Sequence, residues 1–486
     1  MIIEKLLELI VQLLEAGFSL LTEIIETAVD GVGKRKHTYT ANFIPERDLL
    51  TRYHTGFCLT GTRSLSAKHS YTNALIVGGT GVGKSSVVLL PSLYKMHGSF
   101  VVHDPSGELF QKSAGYLAEK GYEVKVLNFA KPEISARYNP LARTKSSSDI
   151  QKVASMLVQN SLGGSGNSDP FWNTQASALL AMLITILKLQ PEEYQNLFNV
   201  RQLLSHMGGS PKAMDKFFGQ YAKTHPLLWT EYKAFIAFDE RVVAGVLSTC
   251  KAALQLFADG AVARVTANDT LPMEDFRTKP VALFIQNSIA DQRYYSVLTS
   301  LFFEQFFAYV LSRFPEKNEQ DIFFLVDEAA SLKFPTLQLA VANVRKHRAG
   351  IMLLVQDFNQ LVANYGKEDA DAIRTNCFAK MYFTGQSHET SKELSEIMGK
   401  FDFKNEKGKT IQRPLMTSDE IRTMDIARAI VLCGHNAPIK ARLRPYYKKS
   451  TYRAYSEMAS PEIGNEDSGP VPIMPIELPS HEQEKA

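Results

Sequence analysis

Residues 71–90, YTNALIVGGTGVGKSSVVLL, constrain this chain more than any other stretch. A short β-rich run, Ala74–Val77, feeds a glycine-dense turn that opens into a helix near Lys84. Gly78, Gly83, Lys84 and Ser85 fill the fixed positions of G-x-x-x-x-G-K-[ST], the phosphate-binding P-loop. Glycines at 78, 79, 81 and 83 let the backbone take positive φ and turn its N–H groups inward around an anion. The helix that follows points its positive end at the same anion. The expected phosphate cradle is therefore Gly78, Gly79, Thr80, Gly81, Val82, Gly83, Lys84, Ser85 and Ser86. In it Lys84 reaches the β- and γ-phosphates, and the Ser85 hydroxyl takes a coordination position on Mg²⁺. The ligand is ATP or GTP, and the absence of the guanine-reading N-K-x-D pattern favours ATP.

A chain of 486 residues has room for two or three domains. The four cysteines (Cys58, Cys250, Cys377 and Cys433) are scattered without a C-x-x-C pair. That argues against a zinc site or a disulfide framework. Glu4 and Glu8 stand where a secretory signal would be basic. The net charge of +3 is unevenly spread: residues 1–30 carry −5 and residues 454–486 carry −6, which leaves +14 on residues 31–453. A basic body between acidic ends favours a polyanionic partner.

Residues 1–30 read as an amphipathic helix with an acidic face, suited to docking on a partner helix or back onto the chain's own body rather than to lying on a membrane. No window of 18 uncharged apolar residues occurs, so no transmembrane span is expected. From residue 31 to 145, strands expected at 74–78, 99–104 and 123–128 alternate with helices at 84–97 and 107–120, the spacing of a parallel sheet. Residues 146–270 read as an all-α insert, in which Phe171–Leu189 is apolar nearly all round. Strand patterns resume over 271–453, at 281–286, 322–327, 350–356, 379–383 and 429–433. The acidic tail, 454–486, has many prolines and little periodicity and is expected to be disordered.

Ile322–Glu328, IFFLVDE, is an apolar strand ending in two acids. A fully buried parallel strand has this composition, and its carboxyl end is where open α/β sheets bind ligands. Asp327 is the expected Mg²⁺ ligand, and Glu328 the group that orients or deprotonates the attacking water. Its 243-position separation from Lys84 is what an inserted domain would produce. A further strand, Gly350–Val355, closes in Gln356, a candidate γ-phosphate sensor. Before it lie Arg345, Lys346, His347 and Arg348, read as an arginine finger for a neighbouring subunit, as a lining for nucleic-acid phosphates, or as a solvated helix end.

Taken together these segments resemble the type IV secretion coupling proteins, the TraG/TraD-like ATPases of conjugation. The resemblance covers most of residues 50–450. It rests on the P-loop, HDPSGEL at 103–109, RYNPLA at 137–142, DPFWNTQASALL at 169–180, VDEAASL at 326–332, VRKHRAG at 344–350 followed by Gln356, and RPLMTSDEI at 413–421. It implies a RecA-like P-loop NTPase domain carrying an all-α insert, with six copies in a ring around a pore. The resemblance further implies an ATP- and Mg²⁺-dependent ATPase that passes DNA, in single-stranded form and bound to its relaxase, or protein substrates, to components of the secretion channel. Residue by residue, Lys84 and Ser85 match the phosphate and magnesium positions, Asp327 and Glu328 the acidic pair, Gln356 the sensor and Arg345 the trans-acting arginine. The insert matches the substrate- and accessory-binding surface. Two departures stand out. Members usually have a basic residue where this chain has Ser106, so no nucleotide role is expected of that loop. They also usually carry N-terminal transmembrane helices, so docking of residues 2–29 onto a separate membrane subunit is expected instead. That would hold the protein in the bacterial cytoplasm, peripheral to the cytoplasmic face of the cell membrane. Two alternatives share these motifs: an ATP-binding recruitment receptor with little turnover, and another RecA-like DNA pump.

Overall fold

The structure, a computed structural model, describes residues 40–161, 170–404, 409–464 and 469–476. The acidic N-terminal segment 1–30 and the basic run 33–37 lie outside the described residues. Among the described residues two compact units are formed, one of 40–43 with the described part of 388–421, and one of the described parts of 44–387 and 422–476.

The larger unit is organised by a nine-stranded sheet. Its strands are β1 (Ala74–Val77), β2 (Ser99–His103), β3 (Glu123–Leu127), β4 (Val281–Ile285), β5 (Ile322–Val326), β6 (Ala349–Val355), β7 (Ala379–Phe383), β10 (Arg428–Cys433) and β11 (Ile439–Arg442). The smaller unit supplies β8 (Lys400–Lys404) and β9 (Thr410–Pro414) as an antiparallel pair, joined at Phe401 by a bridge to Thr40. In the large sheet the order is β11-β10-β7-β1-β6-β5-β2-β4-β3. From β7 to β3 every neighbouring pair is parallel, while β10 and β11 add an antiparallel margin. The central strands β1, β2, β4, β5 and β6 are buried along their whole length. That is why they read in the sequence as unbroken apolar runs.

Between β3 and β4 the described residues form eight α-helices: Ser147–Ser161, Pro170–Leu187, Leu197–Gly209, Pro211–Gly219, Pro226–Ile236, Glu240–Ala253, Gly260–Val265 and the short Asp275–Thr278. Pro170–Leu187 is the one described helix long and apolar enough to cross a membrane. From Ala176 to Leu187, however, it is buried among its neighbours apart from Ser177, Ala178 and Thr185, as expected for a core helix. All four cysteines are free and buried.

The expectation of a disordered tail after Arg453 needs correction for part of its length. Ser450–Ser456 is helical, and Met474 is buried, with two hydrogen bonds joining its neighbourhood to Asn199. Proline content masked this order, because such a segment satisfies its backbone through a distant partner rather than through local structure.

Asn73 fixes the entry to β1. Its φ of 62° lies in the left-handed region that asparagine tolerates. From there its side chain donates to the Val341 carbonyl at 2.7 Å and accepts from the Ile351 N–H of β6 at 2.9 Å. Asn73→Ala strands both backbone partners in the core. It should lower unfolding free energy by ~2–4 kcal/mol, read as a lower urea midpoint at unchanged slope. Asn73→Gly, which keeps the backbone easy, should lose nearly as much if the hydrogen bonds dominate.

Candidate functional site at the strand ends

The P-loop leaves β1 at Val77 and turns through Gly78–Gly83. Gly78 N–H donates to the Val355 carbonyl, tying the loop to the end of β6. A Cβ at Gly78 would stand 2.9 Å from Phe383 Cβ, so only glycine fits against β7. Gly81 and Gly83 have φ of 79° and 99°. Beyond Lys84 the helix opens with a π-helical turn, Ser85–Leu89, before the α-helix Leu90–Lys95. Lys84 is buried and donates to the carbonyls of Gly78 and Gly79 at 2.6 and 3.0 Å. Ser86 caps Gly83. Thr80 and Gly81 are exposed at the tip, whereas Gly79, Val82 and Ser85 are half-buried.

Two strands away, β5 ends in Asp327 and Glu328. Glu328 sits at φ 50°, a backbone a glutamate seldom adopts. This turn lets Gln356, at the end of β6, donate from Nε2 to both Glu328 carboxylate oxygens at 3.1 and 3.3 Å. Burial, then the neighbouring Glu328 charge, push the Asp327 carboxyl up to about 7, with the Lys84 ammonium opposing them. Lys84, Asp327, Glu328 and Gln356 are thus brought together at the ends of three adjacent strands.

Two further groups belong here that sequence reasoning left out. His103, at the end of β2, is fully buried, and its Nδ1–H donates to the Asp327 carbonyl at 2.6 Å. Burial holds its imidazole down at about 4, hence neutral. Asp104 follows it, buried, accepting from the N–H groups of Leu109 and Phe110 at 3.2 and 2.8 Å at the start of the helix Glu108–Glu119. Burial raises Asp104 to about 6, and its charge adds to the pressure on Asp327. The signal was available in the HDPSGEL segment, but the contact spans 224 positions and has no local signature. Ser106 is exposed, and its hydroxyl accepts from Glu108 N–H. Gln386, also missed, donates to the Val77 and Phe383 carbonyls and so fastens β1 to β7 at the mouth of the P-loop.

Arg345 is not brought to this cluster. It lies exposed before β6, whereas Gln356 follows that strand. At about 3.3 Å per residue the seven residues of β6 put roughly 20 Å between them. Lys346 is exposed beside it. The reading of the whole basic run as a phosphate lining is corrected for its other two members. His347 is buried, bonded to the Arg313 carbonyl and stacked on Phe314 at 4.8 Å. Arg348 is spent on Asp321 and on the carbonyls of Glu316, Lys317 and Glu319. Buried Arg277 reinforces this turn through the carbonyls of Gln320, His347 and Arg348.

The donor set suits a hard cation that arrives with phosphates. Asp327 and Ser85 offer oxygen ligands, and among the described residues no group of three or more His, Cys, Asp or Glu side chains stands ready to hold a metal alone.

The pattern that defines the family described as "Type IV secretory system Conjugative DNA transfer" matches residues 30–462. This chain belongs to the type IV secretory system conjugative DNA transfer family. Protein VirD4 of Agrobacterium fabrum is 22% identical over 420 residues, covering 79% of this chain and 60% of that protein. The chain thus spans less than two thirds of that relative. The conjugal transfer protein TraG of Escherichia coli is 24% identical over 459 residues, covering 82% of this chain and 70% of its own. Among solved structures, the plasmid coupling protein TrwB in complex with ADP and Mg²⁺ superposes with a TM-score of 0.65 at 18% identity, over 84% of this chain and 95% of that one. The fold of this family member is therefore the RecA-like, TrwB-like α/β fold anticipated from its motifs.

The crowded carboxylates carry a pH signature. The folded chain favours a proton on Asp327 up to about pH 7, whereas an unfolded aspartate releases it near 3.9. The ligand-free protein should therefore lose stability as pH climbs through that window. Asp327→Asn removes the penalty and should raise unfolding free energy by ~1–2 kcal/mol at pH 8 and by little at pH 4, as urea unfolding at the two pH values would show.

Proposed function

We propose that this protein is the nucleotide-driven coupling ATPase of a conjugative type IV secretion system. It takes DNA, in single-stranded form with its relaxase, or protein substrates, and drives them into the secretion channel. The observation that carries this reading is the meeting of Lys84, Asp327, Glu328 and Gln356 at the ends of β1, β5 and β6 in a chain of this family. Solved TrwB structures in complex with ADP and Mg²⁺ and with a non-hydrolysable ATP analogue support ATP and Mg²⁺ as its ligands.

In this mechanism the Gly78–Ser86 backbone receives the phosphate chain, and the Lys84 ammonium exchanges the Gly78 and Gly79 carbonyls for phosphate oxygens. Ser85 and Asp327 would hold magnesium, which supplies charge neutralisation on the phosphates. Glu328, its carboxylate aimed by Gln356, accepts the proton of the attacking water. His103 fixes the Asp327 backbone so that the two acids keep their spacing. Arg345 is exposed at the other end of β6 from its own cluster and acts on a neighbour's nucleotide in a homo-oligomeric ring, taken as a hexamer. The +14 body supports DNA as the polyanion. The protein works at the cytoplasmic face of the cell membrane, with residues 2–29 docking onto a separate membrane subunit.

The test is steady-state ATP hydrolysis against protein concentration, with and without single-stranded DNA. The specific rate should rise with concentration and with DNA. A flat, near-zero rate despite intact ATP binding would replace the motor by a recruitment receptor. Lys84→Ala and Arg345→Ala should each lose ~10²-fold or more in rate. Mixed in equal amounts, they should recover about a quarter of wild-type turnover, because a random ring pairs an intact Lys84 with a neighbour's intact Arg345 at that frequency. A mixture that stays at background overturns the role of Arg345 in trans.

A further inference from the structure

Asn199, in the first turn of the helix Leu197–Gly209, is fully buried. Its Nδ2 donates to the Pro472 carbonyl and its Oδ1 accepts from the Met474 N–H, both at 2.9 Å. One carboxamide therefore reads the C=O of a residue and the N–H two positions on, the pair of groups an extended chain presents along one edge. These partners set which side-chain atom is oxygen and which nitrogen. Asn196, which caps the helix through Asn199 N–H at 3.0 Å, also accepts from Nδ2 at 3.3 Å and fixes the amide's rotation.

The bound segment alternates in burial. Met474 is 5% exposed, while its neighbour Ile473 is 61% exposed. Pro470, Pro472 and Pro475 bracket this anchor, favour extended backbone and bring no N–H that would need a partner. Among the described residues from Pro461 to Ile476, the two bonds to Asn199 are the only hydrogen bonds the segment makes. Its hydrogen bonding to the rest of the protein is thus confined to one side chain. Its release would take from the Asn199 amide both partners on the segment and leave it only the contact with Asn196. The place therefore matches one edge of an extended chain, and two hydrogen bonds from one side chain hold the present occupant there.

We propose that this face of the helical insert is a binding site for extended apolar peptides bracketed by proline, and that residues 470–476 are its tethered occupant, displaced by such a peptide from a protein partner. The inference deepens the coupling reading by naming the class of protein signal the insert takes, and rests on that reading only for the peptide's source. The backbone passes close by Gly115 at Met458 and Ala459, so the occupant is tethered and competes at high effective concentration.

The test uses the full chain and a fluorescein-labelled peptide of residues 470–478, PVPIMPIEL, followed by fluorescence anisotropy without nucleotide. The full chain carrying Met474→Asp, its tail released, should bind this peptide at least ~tenfold more tightly than the wild-type chain, whose own tail occupies the site. A peptide N-methylated at Met474, lacking the N–H that Asn199 accepts, should lose that binding. No binding by the released chain, equal binding by both chains, or indifference to N-methylation each overturns the proposal and leaves the segment a fixed strut. Met474→Ala serves as the second released chain if Met474→Asp lacks a cooperative thermal transition. Peptide binding is read without ATP, so a chain that hydrolyses nothing leaves this result standing, and a chain that ignores the peptide leaves the ATPase reading standing.

Discussion

The crowding of negative charge at the ends of β2 and β5 is the constraint on which the site depends. Asp104, Asp327 and Glu328 are drawn to one place by strand register, and two of them are pushed well above the ordinary carboxylate range. Lys84 is the cation that opposes this on Asp327. The rest of the neighbourhood follows from keeping that arrangement in position. Gly78 is held to β6 through its N–H, Gln386 holds β1 to β7, and His103 holds the Asp327 backbone from β2. Such a cluster is held in the folded chain at an electrostatic cost, which the nearby Lys84 ammonium partly offsets.

Glu328 shows how the backbone contributes. A glutamate at positive φ costs energy wherever it occurs, and such residues concentrate where geometry matters more than stability. Here the cost turns the carboxylate toward Gln356 on the next strand. The same logic governs Arg348, also at positive φ, whose guanidinium is consumed by Asp321 and by loop carbonyls. One strained residue serves the candidate chemistry. The other builds the turn that carries Arg345.

Much of this was legible in the chain. Strands buried on both faces must be apolar throughout, so β1, β2, β4, β5 and β6 could be placed to within a residue or two. The P-loop and the acid pair were legible because their chemistry demands particular residues at particular spacings. What escaped notice was short, charged or long-range. The strand β11, IKAR, alternates over only four residues, and the hairpin of β8 and β9 is largely polar and exposed. His103, Asp104 and Gln386 act through contacts with distant parts of the chain, and no local pattern announces them. His347 and Arg348 read as free cations because a sequence does not reveal that Arg313, Asp321 and nearby carbonyls wait for them.

The placement of the helical insert has a structural meaning. It leaves the sheet from β3 and returns through β4, the two outermost parallel strands, and β4 lies directly beside β2. At its far end the Ile285 carbonyl accepts from Asp104 N–H, and the adjoining His103 grips Asp327. The insert is therefore connected to the acid cluster along β4 and its neighbour β2, and also through the helix Gln292–Ser312, whose Gln292 donates to Ser331 just beyond Glu328. The insert is thus joined to the body of the sheet on the side of the acids, while the P-loop leaves β1 three strands further along from β2.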